Sequence, residues 1–319
     1  MTDVIFISWQ KHQRTRSFCE KLTIPLIEIT TAKSGLARYR ETIARTFIAL
    51  REHKPKIFLV QNPSIVLTSL AVVLKPFFHY QLIVDAHNEA VEPHNYDNFI
   101  IRMLARFLIR YSNATIVTND VLANTVKKYG GSPLVLPDFL PNVDVRPFLS
   151  APKNDEHYEL TLIATYANDE PYREVFSALQ TLGNKFKLKV TGKIPAHIDR
   201  SQVPDNVELL GFISHEEYWE QLYRSHIVID LTTMDNCLVC GAYESMAIEK
   251  PLLLSANPAS LSLFGNYAVH VENNSIAIAR GIAELVDGYS SIAKKIGEAK
   301  SHFLTLEAKN ILQIKTLLK

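Results

Sequence analysis

Residues 233–258 read TMDNCLVCGAYESMAIEKPLLLSANP, and this stretch carries the local pattern that decides the fold of the chain. A polar segment leads into small and apolar residues of helical character, and Lys250-Pro251 ends the helix. The apolar run LLLS that follows the proline is typical of a short buried strand. We therefore expect a helix from about Val239 to Glu249, followed by a strand of a parallel sheet.

The same alternation of strand and helix runs through both halves of the chain. Short strand-like runs are each followed by a helix-like segment; examples are DVIFIS, KIFLVQNP and QLIVDAHNE in the first half and FKLKVTGK and HIVIDLT in the second. Strands that alternate with helices favour a parallel sheet covered by helices on both faces. We expect two doubly wound, Rossmann-like α/β domains that bind their ligands at the carboxyl ends of the strands and face a central cleft.

The segment 137–157 contains four prolines and no periodic pattern, which is typical of a linker. On this basis we predict an N-terminal domain over residues 1–145 and a C-terminal domain over residues 146–300. Residues 301–319 are predicted to form a final helix that crosses back to the N-terminal domain.

Composition indicates a globular chain without a membrane-spanning segment. Hydrophobic residues make up 47% of the 319 residues and charged residues 21%. The longest apolar run, IVLTSLAVVL, is too short to cross a bilayer, and the N-terminus lacks the features of a signal peptide. We expect a cytoplasmic protein, with peripheral contact at the inner face of the membrane.

The net charge of +1 is unevenly distributed along the sequence. Residues 1–150 hold 18 Lys and Arg against 12 Asp and Glu, whereas residues 151–319 hold 16 against 21. A basic N-terminal half is compatible with an anionic partner such as a membrane surface, although an offset of this size is also common in ordinary proteins.

Cys237 and Cys240 form a C-x-x-C pair, for which there are three interpretations. A structural zinc site needs four ligands, and the third cysteine, Cys19, lies in the other half of the chain. A redox pair at a helix N-terminus is physically reasonable, but the flanking residues are not those of a thioredoxin-like motif. The pattern favours small packing residues at the start of a helix.

Asn236 and Glu244 are separated by seven residues around the same helix start. If the helix begins near Leu238, its free N–H groups favour an anion or a cluster of hydroxyl groups. Glu244, about two turns into the helix, can accept two hydroxyl protons, as from a ribose diol. Gly241 removes a side chain and would let a ligand approach.

These residues resemble the donor site of retaining glycosyltransferases of the GT-B fold, glycosyltransferase family 4. In that family a Glu-x7-Glu motif precedes an A-x-G-K-P turn and an apolar strand; this chain has Asn236-x7-Glu244, then MAIEKPLLLS. The resemblance covers residues 159–286 well and the first half more loosely. It implies a sugar transferred from a nucleotide-sugar donor to a glycan or lipid-linked acceptor in surface polysaccharide or glycoconjugate synthesis.

The resemblance also assigns roles to the donor-site residues. Glu244 would bind the ribose of the donor, and Lys193 and Arg173 would neutralise its diphosphate without an essential metal cofactor. Asn236 is assigned a catalytic role. It stands at the first position of the motif, where the family usually has a glutamate. The remaining predicted donor contacts form the loop before the helix: Asp235, Cys237, Leu238 and Val239. P-loop and classical dinucleotide motifs are absent from the sequence, and no nucleic-acid partner is expected.

In the first half, the segment VDAHNEAVEPHNY follows a predicted strand. The resemblance places His87 beside the donor sugar as a catalytic residue, where neutral imidazole can hydrogen-bond a hydroxyl group. Asn88 and Glu89 are predicted acceptor contacts. Local pairing of this histidine with Asp85 and a metal site with His94 are the alternatives, and the H-x6-H spacing is a poor metal pattern.

Two basic segments of the first half are the predicted anionic contacts. Lys11, Arg14 and Arg16 follow the first strand and would suit a lipid pyrophosphate or an acidic glycan; a solvated loop is the alternative. Residues 36–51 are rich in arginine and could lie against anionic lipid. A nucleotide-sugar epimerase and a non-catalytic sugar-nucleotide-binding partner of a transferase are the competing functional hypotheses.

Overall fold

The structure is a computed structural model that describes residues 3–62, 64–86, 88–91, 99–148, 157–265 and 267–318; at Gln13 and Glu89 it describes the backbone only. The chain forms two compact units. Unit 1 comprises Met1–Phe139 and Leu306–Lys319, and unit 2 comprises Leu140–Thr305.

Unit 1 is built on a six-stranded sheet. Its strands are β1 (Val4–Ser8), β2 (Leu26–Glu28), β3 (Ile57–Asn62), β4 (Gln81–Ala86), β5 (Ala114–Val117) and β6 (Pro133–Val135). They lie in the order β2-β1-β3-β4-β5-β6, and every pair is parallel. All residues of β3 are buried, which explains why its first four positions, Ile57–Val60, are continuously apolar rather than alternating.

The described helices that accompany this sheet are α1 (Gln13–Leu22), α2 (Gly35–His53), α3 (Ile65–Phe78), α4 (Asn88–Val91), α5 (Phe99–Tyr111), α6 (Asp120–Lys128) and the end of α12 (Tyr289–Leu317). They cover the sheet on both faces. One core joins α2, α3, α5 and α6 to side chains such as Phe58 and Leu82. The other core joins α1 and α12 to side chains such as Phe6 and Leu59.

Unit 2 repeats this architecture. Its strands are β7 (Tyr158–Leu162), β8 (Phe186–Thr191), β9 (Val207–Gly211), β10 (Ile227–Asp230), β11 (Leu252–Ser255) and β12 (Val269–Val271). They lie in the order β12-β11-β10-β7-β8-β9, again all parallel. The strand order therefore reverses between β7 and β10, which is the topological switch point of a Rossmann-like sheet.

The helices of unit 2 are α7 (Tyr172–Leu182), α8 (His215–Arg224), α9 (Cys240–Ala247), α10 (Pro258–Phe264), α11 (Ser275–Asp287) and the first part of α12. Helix α8 begins with a capping box in which Ser214 and Glu217 satisfy each other's backbone N–H groups. Helix α9 instead begins after Val239, with no side-chain cap.

The described residues confirm the predicted alternation of strand and helix and correct two details. Helix α9 begins at Cys240, next to the predicted start at about Val239, but two residues after the start near Leu238 on which the predicted depth of Glu244 rests. Glu244 therefore lies about one turn into the helix instead of two. The proline-rich segment is also partly structured. It contains a short 3-10 helix, Arg146–Phe148, whose Phe148 is buried with Trp219 and Leu222 of α8. None of the described helices is long and apolar enough to cross a membrane.

Candidate functional site

The candidate site lies at the carboxyl edge of the unit 2 sheet, around the switch point between β7 and β10. At such a point two neighbouring strands send their following segments in opposite directions, which opens a crevice above the strand ends. The segments that begin there are residues 163–171, after β7, and residues 231–239, after β10. The sequence predicted ligand contacts at the end of each segment, in the first turn of α7 and in the turn before α9.

The loop after β7 folds around one of its own carboxylates, Glu170. Glu170 accepts hydrogen bonds from the backbone N–H of Thr165 at 2.8 Å, from the Thr165 hydroxyl at 2.7 Å and from the N–H of Ala167 at 3.2 Å. Tyr166 adopts a left-handed backbone, its ring packs edge-on against Tyr172, and burial raises its pKa to about 12. These contacts give the loop a defined conformation up to the N-terminus of α7.

Arg173 is the second residue of α7 and is exposed, with its guanidinium 5.7 Å from the Tyr172 ring centroid. The free N–H groups of the first helical turn lie beside this cation, so both contribute positive potential at the same helix end. The predicted phosphate contact of Arg173 is sterically open.

Gly192 fixes the position of Lys193 at the end of the neighbouring strand. Its φ of +98° lies in the region that L side chains rarely adopt, and a Cβ built on it would overlap the carbonyl oxygen of Ala164. The turn after β8 therefore packs directly on the loop after β7. Lys193 follows β8 in this turn and is exposed, and β8 pairs with β7, the strand that leads to Arg173.

The loop after β10 is tied to both of its neighbours through Thr232. The Thr232 hydroxyl donates to Asp169 Oδ2 at 2.7 Å, and the backbone N–H of Thr233 donates to the Asp169 carbonyl at 2.7 Å. The N–H of Thr232 donates to the Ser255 hydroxyl at 3.0 Å, at the end of β11. These bonds fix the three loops at the carboxyl edge relative to one another.

Asn236 lies in a tight turn directly before α9. Its φ of +60° is left-handed, a conformation that asparagine tolerates better than most residues. Asp235 beside it is exposed, and Leu238 and Val239 are partly buried. The carbonyl of Cys237 accepts a hydrogen bond from Asn257 Nδ2 at 3.0 Å, which anchors the turn to α10.

The two cysteines of this turn are not joined by a disulfide. Cys237 is partly buried, whereas Cys240 is exposed at the first position of α9, so the prediction of a packing residue is wrong for Cys240. Among the described residues there is no cluster of three or more His, Cys, Asp or Glu side chains placed to hold a metal ion. The hydrogen bond of Cys237 that anchors the turn is made by its backbone carbonyl, so the C-x-x-C pattern of the thiols does not predict it.

Gly241 is required for packing inside the protein rather than for ligand approach, which corrects the sequence-based interpretation. A Cβ at this position would lie 2.5 Å from both Asp230 Oδ2 and Ile163 Cδ1. The absent side chain lets Asp230 accept a hydrogen bond from the Gly241 N–H at 2.8 Å. Burial raises the pKa of Asp230 well above its usual range, and the Gly241 N–H opposes that shift.

Glu244 is held by a tyrosine that the sequence did not single out. The hydroxyl of Tyr218, on α8, donates a short hydrogen bond to Glu244 Oε2. In the part of the chain that the structure describes, no hydrogen bond to Glu244 Oε1 is found. Burial raises the pKa of Glu244, while the Tyr218 hydroxyl and nearby His215 lower it. Tyr218 thus stabilises the ionised carboxylate and sets the direction in which it points.

A second polar cluster lies at the carboxyl edge of the unit 1 sheet. Ser8, at the end of β1, donates to Gln61 of β3 at 2.6 Å. Asp85, near the end of β4, is fully buried and accepts from Arg14 at 3.3 Å. Arg14 also donates to Asp138 and to the Leu136 carbonyl, with only 7% of its side chain exposed. These contacts favour a positioning role for Arg14, and its predicted contact with an acceptor stays a prediction.

The other predicted residues of unit 1 differ in accessibility. Lys11 is exposed, and Arg16 forms a two-pronged pair with Glu28 at 2.7 and 2.8 Å. Asn88 is partly buried in α4. The side chain of Glu89 and all of His87 and His94 lie outside the described residues.

No family model matches the chain, and no curated protein matches it by sequence. Solved structures match over nearly its whole length. Sucrose-phosphate synthase from Thermosynechococcus elongatus has a TM-score of 0.78 at 12% identity, covering 99% of this chain and 98% of the other. HepE from Anabaena, solved with UDP and glucose, has a TM-score of 0.73 at 12% identity, with coverage of 100% and 99%.

A weaker match is a protein from Listeria monocytogenes described as a candidate UDP-N-acetylglucosamine 2-epimerase. Its TM-score is 0.55 at 12% identity, and the match covers 92% of this chain and 82% of the other. At these identities the likeness establishes the fold alone. The chain has the GT-B fold of two Rossmann-like parallel-sheet domains, which confirms the fold class predicted from its sequence.

Proposed function

We propose that this chain is a glycosyltransferase that takes a sugar from a nucleoside-diphosphate-sugar donor held by unit 2. One observation carries the proposal: beyond the carboxyl ends of the unit 2 strands, α9 carries the tyrosine-held carboxylate Glu244, and the segments that follow β7 and β8 carry the exposed cations Arg173 and Lys193. A nucleotide-sugar needs these partners, because its ribose presents a diol and its diphosphate presents negative charge.

Glu244 is assigned to the ribose and the cations to the diphosphate. An ionised carboxylate accepts hydrogen bonds from hydroxyl groups, and Glu244 Oε1 is the oxygen that Tyr218 does not use. Lys193, Arg173 and the N-terminus of α7 supply positive charge to the leaving diphosphate. We propose that these groups replace an essential metal, so that activity persists in the presence of a chelator.

The sugar end of the donor is assigned to the turn before α9. Asn236 and Asp235 can hydrogen-bond sugar hydroxyls, while residues 237–239 form the adjoining backbone. His87 is proposed to act beside the sugar, on the resemblance of the D-x-H-N segment alone. Membership of glycosyltransferase family 4, transfer of a hexosyl group and retention of the anomeric configuration rest on the same resemblance, with the leaving diphosphate taking the acceptor proton.

The acceptor is assigned to unit 1. We propose a glycan or lipid-linked acceptor of surface polysaccharide or glycoconjugate synthesis. Lys11 and Arg16 are the exposed cations of the loop and helix that follow β1, and they suit an acceptor that carries phosphate or carboxylate groups. Asn88 and Glu89 of α4 are the proposed hydroxyl contacts.

A panel of radiolabelled nucleotide-sugars, UDP-glucose included, tests this function. We expect one donor to be bound and its sugar to be hydrolysed slowly or transferred to an added acceptor extract. Two rival functions give different results. Binding without turnover on any acceptor favours a non-catalytic partner of a transferase, which the amide of Asn236 makes plausible. Conversion of the donor to its epimer favours an epimerase. Absence of binding by every donor contradicts the proposal.

The Tyr218–Glu244 pair predicts a pH dependence of donor binding. Because the ionised form of Glu244 accepts the ribose hydroxyls, donor affinity should fall as the pH falls through the raised pKa of Glu244. Tyr218→Phe removes a hydrogen bond to the carboxylate and raises that pKa further, so affinity should be lost at a higher pH than in the wild type.

Donor dissociation constants measured from acid to neutral pH check this shift. Tyr223→Phe is the matched control, because Tyr223 lies on the same helix and its ring contacts Phe148 and Lys250. If Tyr218→Phe and the wild type show the same pH profile, Tyr218 does not control the ionisation of Glu244.

A further inference from the structure

The helix face of unit 1 formed by α2, α3 and α5 exposes an unusual concentration of apolar side chains. The described residues include eighteen large apolar side chains that are exposed, and twelve of them lie on these three helices: Leu36, Tyr39, Ile43, Phe47, Ile48, Val73, Phe77, Phe99, Ile100, Met103, Phe107 and Tyr111. Single exposed apolar residues are ordinary, whereas a concentration on neighbouring elements marks an interaction surface.

The three helices lie side by side on one face of the sheet. All three contribute to the same core. The rings of Phe47 on α2 and Phe78 on α3 meet edge to face at 5.5 Å. Lys75 on α3 donates to the Tyr111 carbonyl on α5 at 3.0 Å. The exposed apolar side chains therefore belong to one continuous surface, which we name the α2–α3–α5 face.

Helix α5 shows why this surface is not simply an incomplete core. Its Ala105, Leu108 and Ile109 already face the interior and are buried. Its other side carries a second apolar stripe at four-residue spacing: Phe99, Met103, Phe107 and Tyr111. Helix α3 adds Val73 and Phe77, also four residues apart, and 74% of Phe77 is exposed. Both helices are thus apolar on the outward side as well as the inward side.

Basic residues border the apolar stripe, and they identify the partner. Arg102, Arg106 and Arg110 each directly precede an exposed apolar residue of α5 and are themselves exposed. With Lys75, α3 and α5 contain four Lys and Arg and no Asp or Glu. Helix α2 adds four arginines against two glutamates. Apolar side chains flanked by cations are complementary to an anionic lipid surface, because the cations can contact the head groups while the apolar side chains contact the acyl chains.

We propose that the α2–α3–α5 face docks on an anionic lipid surface, with α3 and α5 at its centre. The sequence alone pointed to the arginines of residues 36–51. The structure adds the apolar side chains and cations of α3 and α5, and these two helices carry seven of the twelve exposed apolar side chains of the face. The proposal does not depend on the sugar-transfer function, since it concerns a surface of unit 1 and is measured without a donor.

Vesicle flotation of the full chain tests the proposal. Wild type should bind vesicles of phosphatidylcholine mixed with phosphatidylglycerol, bind phosphatidylcholine alone at least about tenfold more weakly, and be released by added salt. The triple variant Phe77→Ser, Met103→Ser, Phe107→Ser should lose about tenfold or more of its binding to anionic vesicles. All three side chains are exposed, so folding should persist; the single variants Phe77→Ser and Met103→Ser serve if the triple variant does not fold.

The matched control is Leu261→Ser with Ile276→Ser, which removes two exposed apolar side chains of unit 2 and should leave vesicle binding unchanged. Equal binding of wild type and the triple variant to anionic vesicles overturns the proposal. So does equal binding of wild type to neutral and anionic vesicles. A chain that ignores vesicles but forms a dimer that the triple variant abolishes, as seen by light scattering, assigns the face to a second copy and also overturns it.

Discussion

Replacing Glu244 by alanine is expected to weaken binding of the nucleotide-sugar donor by about a hundredfold. Hydrogen bonds to a charged group contribute roughly 1.5–3 kcal/mol each, and a ribose diol loses up to two of them. Each 1.4 kcal/mol is about tenfold in affinity. Because Glu244 is only partly buried and is not part of the apolar core beside α9, the variant should fold normally. Isothermal titration with the donor found in the panel measures the change.

Two further variants sharpen the test of Glu244. Glu244→Gln keeps a single acceptor oxygen, which can serve either Tyr218 or a ribose hydroxyl, and removes the charge. Its donor affinity should therefore lie between those of the wild type and Glu244→Ala. Glu216→Ala is the control, since Glu216 is an exposed carboxylate on α8. An unchanged donor affinity in Glu244→Ala would show that the ribose binds elsewhere.

Replacing Gly192 by alanine is expected to destabilise unit 2 by about 3 kcal/mol or more and to displace Lys193. Two effects add at this position. The φ of +98° strains any L side chain, and the new Cβ would overlap the carbonyl oxygen of Ala164. The clashing atom belongs to the backbone, which cannot rotate away as a flexible side chain could. The loop after β7 or the turn after β8 must therefore move.

Gly183→Ala separates strain from overlap. Gly183 has a φ of +75° and a ψ of −170°, a region nearly restricted to glycine. Among the described residues, no atom beyond its chain neighbours lies within 4 Å of the place that a Cβ would occupy, so this variant carries the backbone strain alone, at about 1–3 kcal/mol. Urea unfolding of both variants gives the difference. If Gly192→Ala costs no more than Gly183→Ala and keeps full donor affinity, the contact between the two loops does not hold Lys193 in place.

The fold could be predicted because its signals are local and repeated. A buried strand such as β3 begins with four consecutive apolar residues, and Gly or Pro residues mark many of the loops between elements. The strand order could not be read from such signals. Whether β10 pairs with β7 depends on contacts between residues far apart in the sequence, and only the structure gives the position of the switch point.

The candidate site was predicted in part, for a similar reason. Glu244 and Asn236 can be proposed from the sequence because they lie within one short motif. Tyr218 was missed because it lies 26 residues before its partner, in a helix whose sequence shows only an amphipathic pattern. The role of Gly241 could not be predicted, because the atoms that occupy the space of its absent Cβ belong to residues distant in the sequence. They are Asp230, at the end of β10, and Ile163, directly after β7.

Hydrogen–deuterium exchange of the full chain, with and without a saturating nucleoside diphosphate, tests the location of the site most directly. UDP is the first probe. We predict slower exchange in residues 163–173, 192–194 and 231–244, the loops and helix starts at the carboxyl edge of the unit 2 sheet. If bound nucleotide leaves these segments unchanged and protects unit 1 instead, the donor site is not at the switch point of unit 2, and the proposed function loses its structural basis.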